Sequence, residues 1–312
     1  MVRYGRLYDI DLRRALMCGI FGIASCGKTS FGKAAFIRKA TTGLLTESQI
    51  RGRRASGLCV LTAEKAFIYK HPLSAEELVK TPEYSNMLNK IHYNNGFRAV
   101  IGHTRLPTKG SPEFNINNHP ILANNIIGVH NGWITNDDAL FKRYRRDVER
   151  AGQVDSEIIF RMIDYLISTG SSMVDAIQET NKELHGKYAC AFVNKKNPRY
   201  LMLFCDDLSE LIIYKYSDIG IILFASTHDI AKAALANNTM LSVENASYRR
   251  YGAGGIFRID TQTFKIYSEE LGISGGYRMP STPHSLHIGS SSECSDCLEH
   301  RCLTCDHYAL QE

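Results

Sequence analysis

The 312-residue chain lacks any apolar run of the ~20 residues that a membrane-spanning helix needs. Its N-terminus lacks the continuous apolar centre of a secretory signal. Charge of one sign is scarce too, because the net charge is only +5 and no basic stripe is interleaved with aromatic residues. No internal repeat is evident. These absences argue against membrane, secreted and nucleic-acid-binding proteins and favour a cytoplasmic globular protein.

The nine cysteines are an odd number, which does not suggest a secreted disulfide framework. Four of them crowd the C-terminal end. The others lie in apolar segments, as expected of reduced cytosolic thiols. These are Cys18, Cys26, Cys59, Cys190 and Cys205. The distribution indicates a reduced globular body and a separate C-terminal device.

Strand-like and helix-like segments follow one another in the order sheet, helices, sheet. This order predicts an α+β protein in which two sheets pack face to face between helical layers, a four-layer αββα sandwich. After a strand that begins at Cys18, the predicted strands are 56–61, 66–69, 98–101, 121–129, 188–193, 200–204, 211–216, 220–224, 255–259 and 264–267. The predicted helices are 34–50, a short one opened by a capping box at Ser74, 137–148, 156–167, 173–184 and 227–235.

Composition divides the chain into four parts. Residues 18–271 form the predicted body, residues 272–293 have the glycine, serine and proline content of a linker, and residues 294–312 form a cysteine-rich tail. Residues 1–17 are interpreted as a leader or propeptide. An upstream start codon with Met17 as the true initiator is an alternative, and a transit peptide fits less well because acidic residues are present. Either removal route leaves Cys18 first.

Cys18 heads a short apolar run with a glycine at its side. By itself this pattern favours a small buried cysteine that opens a core strand, since free cysteine is among the most buried residue types. The alternative is an N-terminal nucleophile whose own α-amino group, once freed, serves as the base. A free α-amine titrates at about 7.7 to 8.0, close to working pH.

The polar clusters of the chain are weak signals when each is taken alone. Asn131-Gly132 is typical of a hairpin turn, because this dipeptide readily adopts positive φ. Arg105 alone indicates a surface cation, and Asp155 alone indicates a helix cap. The clusters at 102–105 and 130–132 follow strand-like runs, and the runs are predicted to end there.

The order of the motifs is more specific than any one of them. The motifs are CGIFG at 18–22, RGRRASG at 51–57, GHTRLPTKG at 102–110, NHP at 118–120, VHNG at 129–132 and DSE at 155–157. Together they resemble the glutaminase domain of class II glutamine amidotransferases, in the branch of glucosamine-6-phosphate synthase and phosphoribosylpyrophosphate amidotransferase. The resemblance runs from Cys18 to about residue 260. It implies the αββα fold of the N-terminal-nucleophile hydrolases and hydrolysis of L-glutamine to glutamate and ammonia.

The resemblance implies four catalytic residues. Cys18 would be the nucleophile, and its freed α-amine would act as general base and then as acid for departing ammonia. The Asn131 side chain and the Gly132 backbone N–H would form the oxyanion hole. Arg51 matches an arginine that the family keeps beside the nucleophile. Glutaminase chemistry of this kind needs no cofactor.

Three further residues match the family's substrate contacts. Arg105 would bind the α-carboxylate of glutamine, which a guanidinium can hold bidentately. Asp155 would bind the α-amine, and Thr108 would add a polar contact. Since Arg105 and Asp155 together match an α-amino acid, they argue against a different amide as substrate.

Three histidines lie within the matched motifs. His103, His119 and His130 are interpreted mainly as structural or supporting groups, because a cysteine that uses its own amine requires no imidazole base. His119 and His130 are also kept as candidate substrate-binding residues.

The chain departs from the family pattern at several positions. Arg53 and Arg54 stand where an acidic residue usually follows the arginine-glycine pair, Leu106 where a bulky aromatic is common, and Lys109 where histidine or alanine is usual. These changes bear on how the glutamine loop closes and on which partner it meets. The synthase domain of product-forming relatives is also missing after the matched region, so the ammonia acceptor is predicted to be a separately encoded synthase.

The tail contains two Cys-x-x-Cys pairs, formed by Cys294 with Cys297 and by Cys302 with Cys305. Such pairs can close a tetrahedral thiolate site for zinc, although the gap between them is shorter than in common zinc ribbons. Reversible disulfides, free thiols and an iron–sulfur cluster are the alternatives.

Overall fold

The computed structural model describes residues 18–272, apart from residues 28, 93–95, 210 and 237–240. The strands in this part of the chain are β1 Gly19–Ser25, β2 Ala55–Thr62, β3 Ala66–His71, β4 Phe97–Arg105, β5 Ile121–Ala123, β6 Ile126–Ile134, β7 Gly186–Asn194, β8 Asn197–Cys205, β9 Ile212–Tyr216, β10 Ile221–Ala225, β11 Tyr248–Tyr251, β12 Gly255–Asp260 and β13 Ile266–Glu270. The helices are α1 Phe31–Ser48, α2 Ala75–Leu78, α3 Pro82–Leu88, α4 Asp137–Arg143, α5 Ser156–Ser168, α6 Met173–Glu183 and α7 His228–Leu235. Short 3-10 turns cover Gln49–Arg51, Asn115–Asn117 and Ser217–Ile219.

The strands form two antiparallel sheets. The seven-stranded sheet has the order β11-β9-β10-β1-β4-β2-β3, and the six-stranded sheet has the order β13-β12-β8-β7-β6-β5. Strand β1 lies in the middle of its sheet, where Phe21 pairs with Ala225 of β10 on one side and with Gly102 of β4 on the other. The strand that follows Cys18 is therefore held on both edges by backbone hydrogen bonds.

Three apolar layers hold the sheets and helices together. The middle layer lies between the sheets and includes Ile20 of β1 and Val129 of β6. The outer layers bury the other faces of the two sheets, one under α1, α2, α3 and α7, the other under α4, α5 and α6. Burying each large apolar side chain contributes roughly 1.5–3 kcal/mol. The predicted four-layer αββα sandwich is confirmed.

The sequence of β1 explains its central place. Successive side chains of a strand point to opposite faces of the sheet. Ile20 accordingly packs in the middle layer, while Phe21 and Ile23 pack under the helices. Since both faces are covered, the strand reads as a continuous apolar run, which is why all seven of its residues are buried.

The six-stranded sheet corrects the sequence-based expectations at two places. The run 121–129 was predicted as one strand, but it contains a tight turn at Asn124, where φ is 49°, between β5 and β6. Asn131-Gly132 is not a hairpin turn, because β6 continues through it and pairs Asn131 with Ala189 and Gly132 with Tyr188 of β7. Pairing with a long neighbouring strand outweighs the local turn preference of this dipeptide.

Other differences are smaller. The polar residues at 102–105 lie inside β4, which ends at Arg105. Helix α4 ends at Arg143, earlier than predicted, and α3 and β11 were not predicted. The capping box before α2 is present, because Ser74 accepts a hydrogen bond from the Glu77 amide and donates its own amide to the Glu77 carboxylate.

The predicted leader at 1–17 and the cysteine-rich tail at 294–312 lie outside the described residues, as does the linker at 272–293 except for Gly272. These boundaries stay predictions. None of the helices in the described part of the chain is long and apolar enough to cross a membrane.

Gly22 is predicted to be essential for the packing of β1. A Cβ at this position would lie 2.4 Å from the Phe224 ring and 2.5 Å from the Val100 carbonyl oxygen. We expect Gly22→Ala to lower the free energy of unfolding by roughly 1–3 kcal/mol, the usual cost of overpacking. Denaturant unfolding measures this effect. Gly32→Ala is the matched control, because a Cβ there meets no neighbour within 4 Å and alanine is the better helix former. Equal stability of the two variants would contradict the packing described for β1.

Candidate active site

The site begins with Cys18, which lies directly before β1. Its side chain is buried, with 8% of the residue exposed. The backbone N–H of Leu106, just past the end of β4, donates to the Cys18 Sγ at 3.3 Å, and the thiol lies 3.3 Å from the Leu106 carbonyl oxygen. The antiparallel pairing of Gly19 with Thr104 brings these two segments together. The thiol therefore lies at the end of the sheet where β1 begins and β4 ends.

Burial determines the protonation state of this thiol. Burial raises the pKa of Cys18 to about 11, and the Leu106 amide and the charge of Arg105 lower it only in part. The nearby Asp155 carboxylate raises the pKa further, whereas Arg51 lowers it. At neutral pH the group is a thiol, so attack on a substrate requires a base that removes its proton. An α-amine on the same residue could act as this base.

Arg51 lies beside Cys18, as the sequence predicts. It ends the 3-10 turn that follows α1, and only 3% of it is exposed. Its Nε donates to the Cys18 carbonyl oxygen at 2.9 Å. This contact fixes the backbone of the nucleophile.

Asn131 and Gly132 lie in β6, in the sheet that faces β1. Asn131 is 1% exposed, and among the described residues neither its amide nitrogen nor its amide oxygen has a hydrogen-bond partner. Buried polar groups are almost always hydrogen-bonded, so a side chain left in this state has its bonding capacity free for a ligand. Gly132 adopts a φ of 139°, and a Cβ there would lie 1.9 Å from the Lys187 carbonyl oxygen. Only glycine fits this position.

Arg105 is almost completely buried, and it holds the loop that follows it. Its guanidinium donates to the carbonyl oxygens of Lys109 and Gly110 at 2.6 and 2.8 Å, and to the Asn118 Oδ1 at 2.7 Å. We call residues 106–118 the site loop, and Asn118 is its last residue. The sequence motif gave Asn118 no role, although the structure shows it joining Arg105 to the loop. The predicted contact of Arg105 with a carboxylate stays a prediction.

Asp155 lies directly before α5 and is 3% exposed. Its Oδ2 accepts a hydrogen bond from the Ile134 amide at 2.7 Å, so the segment before α5 is attached to the end of β6. Burial lowers the pKa of Arg105, while its charge interactions with Cys18 and Asp155 raise it. Arg105, Asp155 and Cys18 therefore lie close enough to interact electrostatically. Thr108, the third predicted substrate contact, lies exposed on the site loop.

The three histidines form a buried cluster. The rings of His103 and His119 are stacked with centroids 4.1 Å apart, and the centroid of His130 lies 6.5 Å from that of His119. The His103 Nε2 contacts the His130 carbonyl oxygen at 3.1 Å, and the His130 Nδ1 contacts the Ser156 Oγ at 2.7 Å. Burial lowers the pKa of all three, most strongly for His103 and His119. Neutral, packed imidazoles agree with a supporting role, and substrate contacts of His119 and His130 stay predictions.

Sequence reasoning missed two groups at this site. The Leu106 backbone contacts the thiol, although the sequence marked Leu106 only as a departure from a family pattern. Ser226, at the end of β10, accepts a hydrogen bond from the Ile20 amide at 2.9 Å and is fully buried. No local pattern distinguishes it from other serines, because its partner is more than 200 residues away.

Within the described ranges, no cluster of three or more histidine, cysteine or acidic side chains could hold a metal ion. The five cysteines of this part of the chain are buried, and none of them forms a disulfide bond there. The predicted zinc ligands Cys294, Cys297, Cys302 and Cys305 lie outside the described residues. The zinc site stays a prediction from the sequence.

Known proteins resemble this chain over most of the described region. Residues 103–233 match a family model described as a glutamine amidotransferase domain. Glutamine--fructose-6-phosphate aminotransferase [isomerizing] of Chlamydia muridarum is 26% identical over 239 residues, which are 75% of this chain and 36% of the relative. The protein of the same name from Bradyrhizobium diazoefficiens is 30% identical over 195 residues, which are 61% of this chain and 28% of the relative. The chain thus aligns with only the smaller part of these relatives.

Solved structures show the same fold. The glutamine phosphoribosylpyrophosphate amidotransferase of B. subtilis superposes with a TM-score of 0.60 at 20% identity, covering 82% of this chain and 50% of that one. A structure described as the allosteric regulatory enzyme of purine biosynthesis gives a TM-score of 0.60 at 21% identity, with the same coverage. The αββα sandwich is therefore the fold that these two structures share with this chain. By its fold, its six motifs and these relatives, the chain is similar to class II glutamine amidotransferases over most of the described region.

Proposed function

We propose that the chain hydrolyses L-glutamine to glutamate and ammonia, with Cys18 as an N-terminal nucleophile. The observation that carries the proposal is a buried thiol on which a cation and an anion act together. The thiol is in hydrogen-bond contact with the backbone of Leu106, the residue after Arg105. The charge of Arg105 lowers the pKa of Cys18 and that of Asp155 raises it, so charges of both signs act on the thiol. An α-amino acid carries one carboxylate and one ammonium group, which this pair of charges complements.

The chemistry follows from the groups present. The α-amine of Cys18, freed by loss of residues 1–17, takes the proton from Sγ, and the thiolate attacks the side-chain amide carbon of glutamine. Asn131 and the Gly132 N–H stabilise the negative charge on the amide oxygen, and the protonated amine then passes its proton to the departing ammonia. Water hydrolyses the resulting thioester and releases glutamate. The Asn131 amide has no hydrogen-bond partner among the described residues, which supports its part in this scheme.

For the acceptor of the ammonia we propose only a class of enzyme. The curated relatives are named as aminotransferases of fructose 6-phosphate, and ammonia transfer to a synthase activity fits that chemistry. We propose a separately encoded synthase as the acceptor, a cytoplasmic location, and zinc in the cysteine-rich tail. The location and the zinc site rest on the sequence alone.

Two versions of the chain test the proposal, one that begins at Met1 and one that begins at Cys18. We expect the chain beginning at Cys18 to release glutamate and ammonia from glutamine, and the longer chain to do so only after intact-mass analysis shows cleavage before Cys18. Asparagine and simple acyl amides complete the substrate panel. Full activity with Met1 retained would refute the α-amine base.

The same panel separates two other functions. A non-catalytic glutamine-binding module would bind glutamine without turnover in both versions of the chain. A different N-terminal-cysteine amidohydrolase would prefer the acyl amides to glutamine. The opposite charges of Arg105 and Asp155, which both act on the thiol, argue against the latter.

A further inference from the structure

Asp137 is a buried carboxylate that two cations share. It is the first residue of α4, and 3% of it is exposed. Its Oδ2 accepts hydrogen bonds from the Lys109 Nζ at 2.6 Å and from the Arg150 guanidinium at 3.1 Å. The neighbouring Asp138 bonds the same two cations, but its side chain is 73% exposed. Solvent weakens the pairs of the exposed Asp138 more than those of the buried Asp137.

The two cations belong to different segments. Lys109 lies in the site loop, and Arg105 holds its backbone carbonyl oxygen at 2.6 Å. Arg150 lies in the segment that leads to Asp155, where its Nε donates to the Gly152 carbonyl oxygen at 2.8 Å. Asp137 itself lies shortly after Asn131 and Gly132 on the same stretch of chain. One carboxylate therefore joins the segment of Arg105 and Thr108, the segment of Asn131 and Gly132, and the segment of Asp155.

Further contacts make the segment from 150 to 155 rigid. The amides of Ala151 and Gly152 donate to the Glu157 carboxylate at 2.9 and 2.7 Å. The Gln153 amide donates to the Asn117 Oδ1 of the site loop at 2.8 Å. Because this segment is fixed in this way, the position of Arg150 is set, and Asp137 can transmit that position to Lys109.

We propose that Asp137 is a positioning residue for glutamine, acting through Lys109 and Arg150 to hold the site loop over the site. This inference rests on the proposed function. The Asp137 clamp, formed by Lys109, Asp137, Asp138 and Arg150, fixes groups that bind the unreacted substrate. It does not touch Cys18, whose contacts are with Leu106 and Arg51. Loosening the clamp should therefore weaken glutamine binding more than it slows the chemical step.

Lys109→Met tests the clamp, because methionine keeps an unbranched apolar side chain and removes the cation. We expect the KM for glutamine to rise about tenfold, the change produced by ~1.4 kcal/mol of lost binding free energy, with kcat within about twofold. Lys109→Arg should restore most of the affinity, since arginine keeps the charge. The matched control is Arg143→Met. Arg143 lies in α4, the helix that begins with Asp137, and this variant removes its ion pair with Glu183. Its KM should not change.

A second measurement is independent of activity. Phe114 in the site loop is 62% exposed and is a site for chymotrypsin. We expect cleavage after Phe114 to be faster in Lys109→Met than in the native chain, and unchanged in Arg143→Met. An unchanged KM and cleavage rate in Lys109→Met, or a fall in kcat at constant KM, would overturn the positioning role. A chain beginning at Cys18 that does not turn over glutamine refutes the proposed function, whereas the cleavage comparison still tests the clamp itself.

Discussion

Cys18→Ala should abolish release of ammonia from glutamine, with a loss of at least ~10³-fold in kcat. The reason is chemical, since alanine has no atom that can attack the amide carbon. The fold should survive, because Cys18→Ala removes only the sulfur atom, which is hydrogen-bonded to the Leu106 backbone. Assays of glutamate release and of unfolding on the same preparation separate the two effects.

Cys26→Ala is the control for this experiment. Cys26 follows the other end of β1, is 7% exposed, and has a pKa that burial raises to about 11, as for Cys18. The Cys26→Ala variant should keep its activity. Cys26 is as buried as Cys18 and its pKa is raised to the same extent, but it lies at the opposite end of β1 from the candidate site. Calorimetry should still detect glutamine binding to Cys18→Ala. Turnover by Cys18→Ala at the native rate would end the case for a cysteine nucleophile.

Asn131→Ala should lower kcat by about 10²–10³-fold, the usual effect of removing one oxyanion donor. The KM for glutamine should change little, because the donor acts on charge that develops in the transition state. Stability should also change little, since the Asn131 amide has no hydrogen-bond partner in the described part of the chain. Steady-state kinetics together with denaturant unfolding measure both expectations.

Asn194→Ala provides the comparison. Asn194 is a buried asparagine at the end of β7, where its Oδ1 accepts a hydrogen bond from the Lys196 amide at 2.8 Å. This variant should lose stability and keep kcat, the reverse of what we expect for Asn131→Ala. If Asn131→Ala unfolds as readily as Asn194→Ala and retains kcat, then Asn131 is structural and the oxyanion hole lies elsewhere.

The layers of the fold were predictable because their signals are local. Apolar periodicity in α5 and continuous apolar runs such as β1 arise from residues a few positions apart, and both were found near their true bounds. The sequence-based prediction was wrong where long-range pairing decides the conformation. Strand β6 passes through Asn131-Gly132 because β7 lies beside it, and no residue near position 131 reports that neighbour.

For the candidate site, too, local motifs were informative and contacts between distant residues were not predictable. The motifs predicted candidate catalytic and substrate-binding side chains. In the structure Arg51 donates to the Cys18 carbonyl oxygen, and the charges of Arg105 and Asp155 act on the thiol, while the roles of these residues stay predictions. Their supporting contacts were not predictable. The Leu106 backbone reaches the thiol across 88 positions, and Asp137 reaches Lys109 across 28. Such pairs form only when the sheets and loops have folded.

The sequence by itself determined the kinds of groups this protein has: a cysteine before a buried strand, an asparagine-glycine pair, and one cation and one anion suited to an amino acid. The tertiary structure decided their states. Cys18 is a neutral thiol because the fold buries it. The Asn131 amide is buried too, and it has no hydrogen-bond partner in the described part of the chain. Burial and hydrogen-bond partners depend on residues distant in the chain, so sequence patterns carry no record of them.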